Sequence, residues 1–381
     1  MTRPQLLRPA ERVRAFGYCV IALIYFAFAQ RVAAHAANGL ASSEWAELVD
    51  RGVLLFLLLL GYGLMGRVFE GQRHPLQAMG LVFRPSARDE FGRGAALGWG
   101  MVIASILPMV LTGGLIVSIW TTPHQFAMLL LDLVVLAVAS LAEEVIFRGY
   151  PFQRLIEAIG PVTATIFFSV IFGLVHTSNP SSNRATITIT VFGGLLLSLG
   201  YLRTRALWFP WGWHFAWNAS MGVLFGLPIS GLTRFSPVIQ SNTIGPVWIT
   251  GGDYGPEGSL VTAGVILVGT IFVFRLTRDY AYTYTQPVIV PGGMPVDLDA
   301  MGDVLAPHHS APAGEKLVQI NTFSPQDQAH LPNFSGNPRR SVRPLSSNQP
   351  QSPATGETDP NPTDSPEIVE GLPLDPPKRE G

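Results

Sequence analysis

The chain has 381 residues, of which 48% are hydrophobic and only 13% charged, and its formal net charge is −1. That profile belongs to membrane proteins rather than to soluble enzymes, and a near-neutral balance offers no footing for a nucleic-acid partner. The single cysteine, Cys19, excludes an internal disulfide and any multi-cysteine metal site.

Met1 to Ala15 is an arginine-bearing leader with Arg3, Arg8, Arg12 and Arg14. Phe16 to Ala29 is apolar and reads as an uncleaved first span, because a second apolar run soon follows. Gly52 to Met65 is the Leu-rich second span. Arg67 to Arg93 is a polar loop with five arginines. Ala95 to Trp120 is the third span, with Pro108 and Gly113-Gly114 as expected kinks. The fourth begins at Phe126 and carries an acidic motif near its end; Glu143 there and His176 at the close of the next span read as lying at different depths, a difference eased if the fourth helix continues through Arg148 to about Arg154. The fifth runs from about Pro161 to His176 and the sixth from about Thr186 to Leu202. The seventh, Leu207 to Leu227, opens on tryptophans. A Gly/Pro/Ser-rich loop, Pro228 to Gly258, precedes the eighth, Leu260 to Phe274.

The expected fold is therefore an all-α polytopic bundle of about eight transmembrane helices, several of them shorter than the roughly 20 apolar residues a bilayer demands and so needing polar-flanked or tilted ends. Arginine counting puts the leader, the Arg67–Arg93 loop, Arg148, Arg154, Arg203, Arg205, Arg275 and Arg278 on one side. By the positive-inside rule both termini are cytoplasmic. Residues 286–381 are rich in Pro, Ser, Asn and Gly and cannot bury enough apolar surface to fold, so a disordered tail is expected. The domain reading is thus a leader at 1–15, a membrane domain at 16–285 and a tail at 286–381.

Polar groups concentrate in three of these helices. Glu143, Glu144 and Arg148 close the fourth span; Phe172 and His176 close the fifth; His214 and Asn218 lie early in the seventh. Ionisable residues inside a membrane are costly and normally face a bundle interior where they do chemistry or transport. Residues four apart share a helix face, so Glu144 and Arg148 can pair. Glu143 lies about 100° round the helix from Glu144 and stays free to act as a base. Each motif alone has a plain structural explanation: charges snorkelling from a helix end, a histidine capping carbonyls, an aromatic interface belt. Convergence in one pocket would let the six polar groups satisfy one another.

Together the three motifs resemble the CPBP family, also called the type II CAAX prenyl endopeptidase or ABI family. Its pattern is Glu-Glu-x-x-x-Arg, then Phe-x-x-x-His, then His-x-x-x-Asn, matched here at Glu143, Glu144 and Arg148, at Phe172 and His176, and at His214 and Asn218. The resemblance covers roughly Phe126 to Gly226. It implies an intramembrane endopeptidase acting within the membrane on a peptide or membrane protein, a prenylated one among the candidates. In that chemistry Glu143 takes a proton from water shared with His176. Glu144 and Arg148 hold the geometry, and His214 and Asn218 donate to the oxyanion. No cofactor is needed in this reading. The alternative is zinc, held by Glu143, His176 and His214 in a three-ligand catalytic site, although the usual His-Glu-x-x-His helix is absent. A proton- or ion-coupled carrier and a non-catalytic scaffold are the readings of other classes.

Overall fold

The structure is a computed structural model, and it describes residues 8–233, 235 and 238–284. The start of the leader and the tail expected from residue 286 lie outside the described residues. The elements in order are α1 (Pro9–Leu40), α2 (Ala46–Glu70), the single turn α3 (Pro75–Ala78), α4 (Ala87–Leu111) and β1 (Leu115–Ile119). They continue with α5 (Pro123–Arg148), α6 (Tyr150–Ile159), α7 (Pro161–Val175), α8 (Arg184–Thr204) and α9 (Trp208–Asn218). A π-helical segment (Ala219–Leu224), β2 (Ile239–Thr243), the short α10 (Val247–Thr250) and α11 (Leu260–Tyr284) complete the chain. The protein is an all-α polytopic helix bundle.

Seven helices among the described residues are long and apolar enough to cross a membrane, with α5 and α6 counted as one. Their outward faces carry large apolar side chains such as Phe16, Phe28, Phe56, Leu130 and Phe272. Such surfaces suit lipid, which is as apolar as the side chains it meets. Helix α8 is the most enclosed, with half of its apolar window inside the bundle, so it forms the centre.

The expected seventh crossing, Leu207–Leu227, differs in kind. It forms α9, eleven residues long, followed by six residues of π-helix. It is buried along Trp208, Phe209, Trp213, His214 and Trp217. Small residues let it lie against α4. A Cβ on Gly94 would sit 2.1 Å from the Phe209 carbonyl oxygen, and one on Gly98 would sit 2.5 Å from that of Trp213. Close approach at small residues is how membrane helices gain packing contacts. The hydropathy of this stretch thus reflects burial in protein as much as contact with lipid.

The third span also ends earlier than its apolar run suggests. Helix α4 stops at Leu111, and Gly113 adopts a left-handed φ of +68°. The β-branched run that follows is strand β1, paired antiparallel with β2 from Leu115 opposite Thr243 to Ile119 opposite Ile239. This ribbon ties the α4–α5 connection to the long loop between the π segment and α11.

The fourth span does continue beyond Arg148, with a break at Gly149. A Cβ there would lie 2.3 Å from the Val145 carbonyl oxygen, so the junction accepts only glycine without rearrangement. Beyond it, α6 packs on α1 and α7. Arg154 joins Glu70 at 2.6 Å and Glu157 at 2.7 Å, and Arg12 donates to the Ala158 carbonyl at 2.7 Å. Gly160, at φ +88°, then reverses the chain into Pro161 at the first turn of α7.

That reversal sets the register of the site. Phe147 meets Phe172 edge-on at 5.0 Å between ring centroids, and Phe152 meets Phe168 at 5.6 Å. The pairs step in opposite directions along the two segments, as antiparallel neighbours do. Extending the same register brings the level of Glu143 to that of His176. Their apparent difference in depth disappears because ten further helical residues, α6, separate Glu143 from the turn.

Candidate active site

Arg148 and Glu144 are completely buried. Their side chains pair at 3.2 Å, four residues apart on α5. Arg148 also donates to the Gly194 carbonyl at 3.1 Å and meets Ser198 Oγ at 3.4 Å, both on α8. Its guanidinium carbon lies 4.8 Å from the centroid of the Phe172 ring. A planar, five-donor cation suits this position, where it answers a carboxylate, a carbonyl and an aromatic face at once.

Glu144 has a second partner that the sequence did not reveal. His214 Nδ1 lies 2.7 Å from Glu144 Oε1, the oxygen that also faces Arg148. A carboxylate can only accept, so Nδ1–H is the donor and the imidazole is fixed about that bond. The other ring nitrogen, Nε2, lies 3.8 Å from Glu143 Oε2. One imidazole is thus flanked by both glutamates of the acidic motif. Glu143 differs from its neighbour in exposure: its side chain is 29% accessible, against 0% for Glu144.

His176 follows the last α-helical turn of α7, and its Nδ1 lies 2.7 Å from the Phe172 carbonyl oxygen. A carbonyl accepts, so Nδ1 carries the hydrogen, and in the neutral ring Nε2 keeps its lone pair. The Phe172 ring stands beside both imidazoles, 4.9 Å from that of His176 and 6.1 Å from that of His214 between centroids. Phe172 therefore touches Phe147, Arg148 and both histidines, which explains an aromatic residue at that place in the motif.

Glu143, His176, His214 and Asn218 line one cavity of about 470 Å³. Asn218 ends α9 where the backbone widens into π-helix, a local distortion often found at functional sites. Its side-chain amide makes no hydrogen bond among the described residues, so it is available to a molecule in the cavity. The structure thus brings the four residues expected to do chemistry to one space. It places the two supporting residues, Glu144 and Arg148, directly behind them.

The cavity wall includes charged residues that the motifs did not flag: Glu47 and Arg51 on α2, and Glu257 in the loop before α11. Arg51 is held by Glu47 at 3.0 Å and Asp50 at 3.6 Å. Sequence spacing could have suggested the Glu47–Arg51 pair, which is four apart, but not that it faces the site. Near Glu257, burial and that carboxylate raise the Tyr254 phenol above its usual value, keeping it protonated.

The zinc alternative requires Glu143, His176 and His214 to converge as ligands. Among the described residues, no three His, Cys, Asp or Glu side chains come together in a group that could hold a metal ion. His214 Nδ1 is engaged by Glu144 and His176 Nδ1 by a backbone carbonyl, which leaves Nε2 as the second nitrogen of each ring.

Residues 123–220 match the family model described as Type II CAAX prenyl endopeptidase Rce1-like. The matched segment runs from the first residue of α5 into the π segment and contains every motif residue of the site. No curated protein and no solved structure matches the chain.

Proposed function

We propose, on the support of the family-model match over residues 123–220, that the chain is an intramembrane endopeptidase of the CPBP/CAAX protease family using a Glu143-activated water. The observation that carries the mechanism is the shared cavity. A partly accessible carboxylate, two oriented imidazoles and an unengaged carboxamide face the same space.

In this mechanism a peptide bond enters the cavity and a water molecule sits between Glu143 and Nε2 of His176. Glu143 takes one proton from the water as its oxygen attacks the carbonyl carbon. His214, protonated on both nitrogens and held by Glu144, donates Nε2–H to the developing oxyanion, and the Asn218 amide donates beside it. Glu143 then passes its proton to the leaving amine, so the carboxylate ends the cycle as it began. Arg148 acts from behind, balancing the charge of Glu144 in a site closed to water. No metal ion takes part.

The substrate is a peptide or membrane protein, with prenylated proteins as the class named by the family. Both termini are assigned to the cytoplasm on the arginine distribution. The test is cleavage of a fluorogenic peptide ending in a CAAX sequence, prenylated and unprenylated, by protein purified in detergent, with Glu143→Ala as control. Turnover by the wild type that vanishes in the variant supports the proposal. Substrate-independent ion flux in vesicles with no cleavage would favour a carrier instead.

A further inference from the structure

The loop between the π segment and α11 closes the cavity, and one carboxylate in it is bound in an unusual way. Glu257 Oε1 accepts from the Trp217 indole N–H at 2.6 Å. Its Oε2 accepts from the Ser230 hydroxyl at 2.8 Å and from the Ser230 backbone N–H. Three donors converge on a single side chain that lines the cavity. None of the motifs includes it, and the family match ends at residue 220, well before it.

Both ends of this connection reach the chemistry. Trp217 immediately precedes Asn218, and it stacks on Trp213 at 4.9 Å and 17°, with Trp213 immediately preceding His214. The indole pair therefore backs the same helix that presents the oxyanion donors. Ser230 stands at the tip of a turn closed by the Ile229–Leu232 bridge, in a left-handed conformation at φ +48°. A non-glycine residue is held there only when its surroundings insist on it. The Ser230 carbonyl accepts from Asn179 Nδ2 at 3.0 Å, three residues beyond His176. Below the turn, Ile229 packs on Gly222 so closely that a Cβ there would lie 2.5 Å from Ile229 Cδ1.

We infer that Glu257 is a positioning residue: it latches the 229–232 turn over the cavity and, through Trp217, fixes the amide of Asn218 for the oxyanion. This rests on the proposed peptidase reading. The physical reason is that α9 loses regular helical bonding directly after Asn218, where the backbone widens. A donor at such a junction needs an outside restraint to keep its aim. Glu257 supplies one, and ties the His176 end of the cavity to the same turn through Asn179.

The experiment combines kinetics with hydrogen exchange on full-length protein in detergent, using the fluorogenic CAAX peptide. Glu257→Ala should lower kcat by about 10- to 100-fold, the scale of a misplaced catalytic group, with little change in KM. In an Asn218→Ala background the same substitution should cost nothing further, because its effect passes through that amide. Glu257→Gln keeps an acceptor for Trp217 but offers the Ser230 N–H a donor in place of an acceptor. It should fall between wild type and alanine, and it carries the test where the alanine variant does not fold. Exchange at the Ser230 and Gly231 amides should quicken at least tenfold in either variant, whether or not any peptide is cleaved. Unchanged exchange overturns the latch. A kcat loss that persists undiminished on top of Asn218→Ala overturns the route through Asn218. Accelerated exchange with a wild type that cleaves nothing would leave the latch standing and sink the peptidase reading instead.

Discussion

Replacing Arg148 by alanine removes the guanidinium that faces Glu144 on α5, and the consequence can be sized. The pair is sealed, with 1% and 0% of its side chains accessible, so solvent does not screen the loss. Removing one member of such a pair typically costs about 3–5 kcal/mol, mostly from the charge left behind. The Gly194 carbonyl also loses its donor, and Phe172 loses the cation against its face. His214 still donates to Glu144 at 2.7 Å, so part of the charge stays compensated and the lower end of that range is expected. At roughly 2–4 °C per kcal/mol for a chain of this order, the thermal midpoint should fall by about 6–12 °C. Intrinsic tryptophan fluorescence of detergent-purified protein would follow it. Arg148→Lys should recover only part, because an ammonium cannot serve carboxylate and carbonyl with one planar fork. Adding Glu144→Gln to Arg148→Ala should restore more than half, since it removes the stranded charge. A midpoint for Arg148→Ala within a degree of wild type would refute the claim that this pair supports the fold.

Glu143→Gln should reduce cleavage by at least about 10²-fold, the usual contribution of a general base, while changing the thermal midpoint little, because the side chain is partly accessible and faces the cavity. Asn218→Ala should lower kcat by about 10²–10³ with KM nearly constant, as read from initial rates across a peptide titration. Exhaustive chelation should leave the wild-type rate unaltered; loss of activity that returns with added zinc would overturn the metal-free mechanism. Gly94→Ala should destabilise the bundle by about 1–3 kcal/mol in chemical or thermal melts, because its Cβ would meet the α9 backbone rather than a side chain able to move.

Much of this architecture was legible because membrane helices advertise themselves by run length. The spans failed where an apolar run had another cause. Leu115–Ile119 is apolar but β-branched and follows two glycines, so it continues as a strand. The 207–227 run is apolar because α9 is wrapped by protein on several sides. Within the site, the Glu144–Arg148 pair was readable since it obeys helical spacing. The bond from His214 to Glu144 spans 70 residues of sequence and has no local signature. Gly194 and Ser198, which complete the arginine's environment, are small residues that hydropathy passes over. Glu257 sits in a loop whose composition signals only turns.

The adjacency of the two glutamates has a physical rationale that emerges from these contacts. Neighbouring residues on a helix point about 100° apart, so the pair cannot serve one function from one direction. Here the divergence is used. Glu144 points into the sealed interior, where Arg148 and the His214 Nδ1–H neutralise it. Glu143 points into the cavity, 3.8 Å from the other nitrogen of the same ring. Fixing Nδ1 on the buried carboxylate leaves Nε2 on the side of the accessible one. A single helical step thus sets the orientation of the histidine and the position of the proposed base together. Arg148, one turn further on the Glu144 face, is what makes burying the first carboxylate tolerable. Moving either glutamate by one position would turn that carboxylate about 100° away from its side of the imidazole.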